Sequence, residues 1–285
     1  MSKPHQSAGK MILLVCSKKD AASVNISRQM FQHYPFTKMD DTFQENSVYT
    51  ANIGENEIIF VTLQTESVNA QDLPSSFPGS DLVVFISRHS SASGTPTLSV
   101  HAPGNFGAAE LGGHPKTLSV CPANAMKDVL CTMNNLKATL NLAYEVSYEC
   151  THHGPSLNIP AMFVELGSSE KQWSDEKAAN VVATATMSAV AKFRKDPEGG
   201  AVLGIGGPHY NRRFTLMALR GEAIFGHIIP KYAIRLVDAQ VLRHCMERTL
   251  ENVECAILDW KGIKSEDKPK LLDALAEIGL SYRKT

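Results

Sequence analysis

At 285 residues, with 43% apolar and 20% charged side chains, the chain has ordinary globular proportions, which exclude fibrous and disordered readings and suffice for one sizeable core. No run approaches the roughly 20 apolar residues of a membrane helix, and the N-terminus lacks the apolar centre of a secretory signal, so a cytoplasmic protein with no membrane partner is expected. The formal charge of −1 excludes capture of nucleic acid by overall attraction, and any such partner requires a local basic patch.

Residues 1–10 are polar, with Pro4 and Gly9, and are expected to form a flexible tail ahead of a single domain over 11–285. The apolar run 12–16 reads as a buried first strand, and the spacing of Val24, Ser27, Arg28 and Phe31 predicts a helix over 20–31. Runs 57–63 and 82–86 read as central strands, followed by strands over 98–100, 145–150, 161–165, 202–205, 223–229 and 255–258. Ser174 is expected to cap a helix reaching about residue 193, with Asp175 and Glu176 favoured by the dipole of its first turn. Amphipathic helices are expected over 238–250 and 267–278. Strands mixed with helices throughout predict an α/β fold, a single layered domain with a mixed, partly parallel central sheet flanked by helices. Six cysteines without a CxxC pair exclude a zinc ribbon and a dithiol redox motif, and reduced thiols are expected.

Ten histidines are present, and their positions carry the information. Four predicted strands run into turns of histidine and small residues: Ser87-Arg88-His89-Ser90-Ser91, His101 through Asn105, Thr151-His152-His153-Gly154-Pro155, and Gly206-Gly207-Pro208-His209-Tyr210. Open α/β sheets bind ligands beyond the carboxyl ends of their strands, so these side chains are expected to pool in one crevice with Glu165. His227 is a further candidate for the crevice. His5, His33, His114 and His244 lack this setting and read as surface or core residues. Imidazole both shuttles protons near pH 7 and binds zinc, and the residues alone leave the two roles open. No HExxH or GxSxG motif is present. Ser87, Ser90 and Ser91 are nucleophile candidates, although serines in such turns more often bond to backbone. Gly206 and Gly207 lack the lysine of a P-loop and suit close approach to a ligand, or N–H donation to an oxyanion.

This set of motifs, together with Glu165 to Glu170, resembles the archaeal and plant D-aminoacyl-tRNA deacylases, known in plants as the GEKO family. The resemblance runs from about Met11 to the C-terminus, with an archaeal-type ending over 259–267, and departs at Pro208, where a third glycine is expected. It implies hydrolysis of the ester between a D-amino acid and tRNA, with zinc as cofactor, and a fold like the cores of peptidyl-tRNA hydrolase and nucleoside phosphorylase. On this resemblance His152, His209 and Glu165 are the expected zinc ligands, with His153 a second choice for that role. His89, His101, His153, Asn105, Ser90 and Arg88 are the expected catalytic or orienting groups. Gly206, Gly207, Tyr210, His227 and Glu170 are expected against the substrate, and Arg212, Arg213, Lys231, Lys261 and Lys264 against tRNA. The partner is D-aminoacyl-tRNA and not DNA, and the protein is expected to act as a monomer. The rival readings are a zinc amidohydrolase or peptidase with a small substrate, a phosphorylase-like enzyme acting on nucleosides or phosphate, and a non-catalytic RNA-binding protein.

Overall fold

The apolar run at 12–16 forms β1 (Met11–Ser17), buried along almost its whole length, and lies inside an eight-stranded sheet. The computed structural model describes residues 9–285. Most of the expected tail lies outside them, as does His5, whereas Lys10 is already tied to Asn56 and Glu57. The other strands of this sheet are β2 (Thr37–Phe43), β3 (Asn46–Ile53), β4 (Asn56–Leu63), β5 (Leu82–Ser90), β6 (Thr97–His101), β7 (Glu145–Tyr148) and β8 (Ala161–Ser168). Their order is β2-β3-β4-β1-β5-β8-β6-β7. Strands β4, β1, β5 and β8 run parallel, whereas β6 and β7 run antiparallel to β8, so the sheet is mixed as predicted.

The alternation of strand side chains sorts this sheet into two faces. Val84, Ile86, Leu98, Val100, Val164 and Leu166 point to the main core, covered by α1 (Ala21–His33), α3 (Ala123–Thr139) and α5 (Glu176–Lys192). The opposite face carries Phe85 and Phe163 in a smaller apolar cluster, then continues into Ser87, His89, Ser99, His101 and Glu165. Two short helices, α2 (Leu73–Ser76) and α4 (Glu170–Trp173), complete the surroundings of this sheet.

The C-terminal part builds a second, four-stranded sheet, all parallel, in the order β10-β9-β11-β12. It contains β9 (Gly200–Ile205), β10 (Phe225–Ile229), β11 (Asn252–Leu258) and β12 (Tyr282–Lys284). One face joins the main core through Val202, Phe225 and Ile257, against α3 and α6 (Arg212–Leu219). The other is closed by α7 (Ala239–Glu247) and α8 (Lys268–Glu277). Among the described residues no helix is long and apolar enough to cross a membrane.

Ser174 does not cap the long helix. Asp175 does, accepting from the N–H groups of Lys177 and Ala178, while Ser174 ends α4 and its hydroxyl donates to the carbonyl of Glu170. All six cysteines are free thiols, four buried and two half-buried.

Candidate active site

The histidine-bearing turns converge, but not at a common strand edge. In register, Ser87 on β5 and Ser99 on β6 flank Glu165 on β8, and Phe85 and His101 flank Phe163. Because β6 opposes β5 and β8, His89 and His101 approach Glu165 from opposite directions. The site therefore lies over the polar face of the sheet. It opens into a cleft of about 630 Å³ lined by His89, His152, His153, Glu165, His209 and Tyr210, among others.

At its centre is Glu149, the residue after β7, which sequence reasoning missed. Its side chain is fully buried, with Oε2 at 2.7 Å from His209 Nε2 and 3.7 Å from His152 Nε2, and Oε1 at 3.2 Å from His89 Nδ1. Burial opposes its charge, yet hydrogen bonds from His209 and His89 hold the carboxyl well below the usual carboxylate range. Glu165 lies 3.4 Å from His89 Nδ1 and accepts from Ser87 Oγ at 2.7 Å. Burial and the charge of Glu149 push Glu165 up, but His101 and His89 bring it down to about 2. His89, for which burial alone would disfavour charge, is raised to about 10 by these two carboxylates. Its Nε2 lies 2.6 Å from the hydroxyl of Tyr210. His209 is likewise raised against its burial, by Cys150 and Glu149, and its Nδ1 also lies 3.2 Å from the Tyr232 hydroxyl.

Three other imidazoles form a separate group. Nδ1 of His101, His152 and His153 sits 3.3, 2.8 and 2.7 Å from the backbone carbonyls of Ala102, Cys150 and Gly154, and His101 Nε2 lies 3.7 Å from Glu165 Oε1. The rings are close, with centroids 4.2 Å apart for His101 and His152 and 4.3 Å for His152 and His153. Burial, with the neighbouring imidazoles, lowers His152 well below and His153 to about 4, so both are neutral at pH 7. His153 is held at φ +41°, a left-handed conformation that a non-glycine residue adopts at a cost of order 1–3 kcal/mol. His101 Nε2 is buried with no hydrogen-bond partner.

Ligand atoms of His101, His152 and His153 lie within 4.8 Å of one another, as do those of Cys150, His152 and His209, and those of His89, Glu149 and Glu165. The predicted trio of His152, His209 and Glu165 is not among these groups: His152 and His209 fall together with Cys150, and Glu165 falls with His89 and Glu149.

The family model described as D-aminoacyl-tRNA deacylase matches residues 76–283. The chain belongs to the D-aminoacyl-tRNA deacylase family. It is 35% identical over 280 residues to a D-aminoacyl-tRNA deacylase of Pyrococcus furiosus, covering 96% of this chain and all (100%) of that one. A D-aminoacyl-tRNA deacylase of Methanosarcina acetivorans is 33% identical, covering 99% of this chain and 94% of its own. A crystal structure titled as a conserved protein of unknown function superposes with a TM-score of 0.85 at 30% identity, over 98% of this chain and 96% of that one.

Measured against this deacylase fold, several sequence-predicted site residues stand elsewhere. His227 is wholly buried in the core, its Nδ1 3.0 Å from Thr151 Oγ1 and its Nε2 2.9 Å from the carbonyl of Arg248, so it is a structural histidine. Asn105 spends its amide on the carbonyls of Gly112 and His114, bracing the loop that precedes the His153 turn instead of facing the crevice. Glu170 starts α4, is exposed and does not line the cleft. The N–H of Gly206 bonds to Ile229, which removes it as an oxyanion donor. A Cβ on Gly207 would meet Asn211 and Asp259, which makes this glycine a packing requirement of the turn. Arg88 lines the rim, paired with Glu66 at 3.1 Å, and Ser90 is exposed beside it. Arg212, Lys231, Lys261 and Lys264 are exposed, with Lys264 3.6 Å from Glu266. Arg213 is paired with Asp259 at 3.5 Å and bonded to Thr285. The signal for Glu149 was its place directly before Cys150-Thr151-His152-His153, which reads as the polar position of an alternating strand.

Proposed function

We propose that this crevice hydrolyses the ester between a D-amino acid and tRNA, with zinc, and returns mischarged tRNA for correct charging. The observation that carries the reading is His89, held between two buried carboxylates at one nitrogen and the Tyr210 hydroxyl at the other, in a chain of the deacylase family. An aminoacyl ester is already activated, so the site must position water, stabilise an oxyanion and deliver a proton to the leaving ribose oxygen. His89 is charged at neutral pH, so its Nδ1–H faces the two carboxylates at 3.2 and 3.4 Å and its Nε2–H donates to the phenol oxygen. The proton of Tyr210 is then free to point into the cleft, where burial keeps the phenol from ionising. Tyr210 is the donor to the developing oxyanion or the departing oxygen, and Glu149 and Glu165 keep its partner His89 charged and oriented. Arg88 and Ser90 stand at the mouth and serve binding.

His101, His152 and His153 fit zinc: each has Nδ1 engaged by a backbone carbonyl, ligand atoms of the three lie within 4.8 Å of one another, and His101 Nε2 is otherwise orphaned. When bound, zinc supplies the Lewis acidity that polarises a carbonyl and acidifies water. The named crevice residues lie together within a single chain, so the proposed chemistry needs no second copy, and we propose action as a monomer. The substrate places the reaction in the cytoplasm, and DNA, bearing no aminoacyl ester, offers it nothing to cleave.

Incubation with D-Tyr-tRNA and L-Tyr-tRNA, with and without chelator, tests the reading. Release is expected from the D-form alone, lost on chelation and restored by zinc. Equal release from the L-form sinks the chiral assignment, and turnover that survives complete demetallation sinks the zinc.

A further inference from the structure

The carboxyl edge of the four-stranded sheet carries a cluster that the chemistry above does not use. Trp260 follows β11, and two lysine ammonium groups lie on its ring, Lys284 Nζ at 3.9 Å and Lys268 Nζ at 4.4 Å from the centroid. Lys284 Nζ is also 5.8 Å from the ring of Tyr282. Among the described residues neither ammonium forms a salt bridge, although Lys264 and Arg213 close by do. Each cation–π contact at such a site stabilises by only about 0.5–1 kcal/mol, against the mutual repulsion of two cations sharing one indole. An anion seated between them removes that repulsion. Because the ring already orders both side chains, less conformational entropy is lost when the anion binds.

The cluster is continuous with the crevice. Tyr210 touches His89, Arg212 begins α6 two residues later, and Arg213 reaches from that helix to Asp259 and Thr285. Thr285 in turn accepts from the Trp260 N–H and directly follows Lys284. The segments after β9 and β11 and the end of β12 thus form one margin, bearing Arg212, Arg213 and Lys284, from the reaction site to Trp260.

We propose that Lys268 and Lys284, pinned on Trp260, form a phosphate clamp for the sugar–phosphate backbone of tRNA next to the 3′ end held in the crevice. The inference rests on the tRNA substrate proposed above and adds a second point of attachment to it. Its test uses the full chain with Lys268→Gln and Lys284→Gln combined, at partly exposed positions, and Trp260→Leu as a second variant that keeps both charges but unpins them. For the lysine pair, KM for D-Tyr-tRNA rises roughly tenfold, and the log–log salt dependence of binding to deacylated tRNA becomes shallower by about 1–2. Turnover of the 3′-ester of D-tyrosine with adenosine, which lacks the flanking phosphates, is unchanged. Trp260→Leu weakens tRNA binding while keeping the wild-type salt slope. Unchanged KM and salt slope in the lysine pair overturn the clamp, and so does an equal loss on the adenosine ester. Wild-type protein that binds deacylated tRNA with the lysine-dependent slope but releases no D-tyrosine retains the clamp and refutes the deacylase reading instead.

Discussion

The division of labour among the histidines was not legible from their spacing, because every one stands next to the same small residues and differs only in what its second nitrogen meets. His101, His152 and His153 have Nδ1 on backbone carbonyls and, for the first two, a carboxylate no nearer than 3.7 Å to Nε2, whereas His89 and His209 have carboxylates at 3.2 and 2.7 Å. We therefore expect His101→Ala and His153→Ala to lose zinc and turnover together. His209→Ala should keep zinc while turnover falls, which metal analysis of the purified variants decides; zinc loss in His209→Ala favours the group with Cys150 instead. His227 yields a pH prediction of a different kind. Burial lowers it to about 4 in the folded protein, below the value of about 6.5 in the unfolded chain. The unfolded chain thus takes up the proton first, so folding stability is full above about pH 6.5 and declines as pH falls toward 4. Linkage puts this contribution at about 2 kcal/mol between pH 7 and pH 5. Urea unfolding of wild type and His227→Gln at both pH values measures it, and identical pH slopes would refute the assignment.

At the scale of elements, every predicted strand is present, because each is an apolar run buried on both sides or on one. What escaped has a physical cause in each case. Strand β2 is largely polar and exposed, and the hairpin it forms with β3 turns through Gln44 and Glu45 at φ +48° and +62° without the glycine that usually marks such a turn. The helix α3 starts after Pro122, which has no side-chain acceptor, and its first N–H groups are taken instead by Glu251, buried and 128 residues away from Ala123. No local pattern reveals a cap supplied from that distance. The direction of β6 was equally hidden, since the short run Leu98-Ser99-Val100 does not encode which neighbour it opposes. The start of α5 was misplaced by one residue, and this is testable. Asp175 accepts two helix N–H groups and the hydroxyl of Tyr144, so Asp175→Ala should cost about 1–2 kcal/mol in denaturant unfolding. Ser174→Ala should change little, its hydroxyl donating only to exposed carbonyls of the preceding turn. Equal costs would return the cap to Ser174.

Over the whole molecule, the large sheet supplies the crevice from the carboxyl ends of strands that run in opposite directions, β5 against β6 and β7, whereas in the small, all-parallel sheet the segments after β9 and β10, at its carboxyl edge, carry His209 and Tyr232. The same edge carries the basic residues expected to meet tRNA, but the arginine pair there is not equivalent. Arg212 is exposed and, among the described residues, without a salt bridge, while Arg213 is committed to Asp259 and to Thr285 at the end of the chain. An exposed, unpaired guanidinium beside a site for a polyanion contributes through phosphate contact, and that contribution falls as salt rises. A guanidinium bonded to a turn and to the last residue contributes through the fold instead. Arg212→Ala should therefore raise KM for D-Tyr-tRNA about three- to tenfold at low salt, with the difference shrinking as salt is added. Its kinetics on the D-tyrosine ester of adenosine should match wild type. Arg213→Ala should behave otherwise, lowering the midpoint of thermal unfolding and affecting both substrates alike, because Asp259 loses its partner and the Trp260–Lys284 margin loses its tether. Side-by-side kinetics on the two substrates, at two salt concentrations, separate the roles; the same salt-sensitive loss from both variants would make the pair a single phosphate contact.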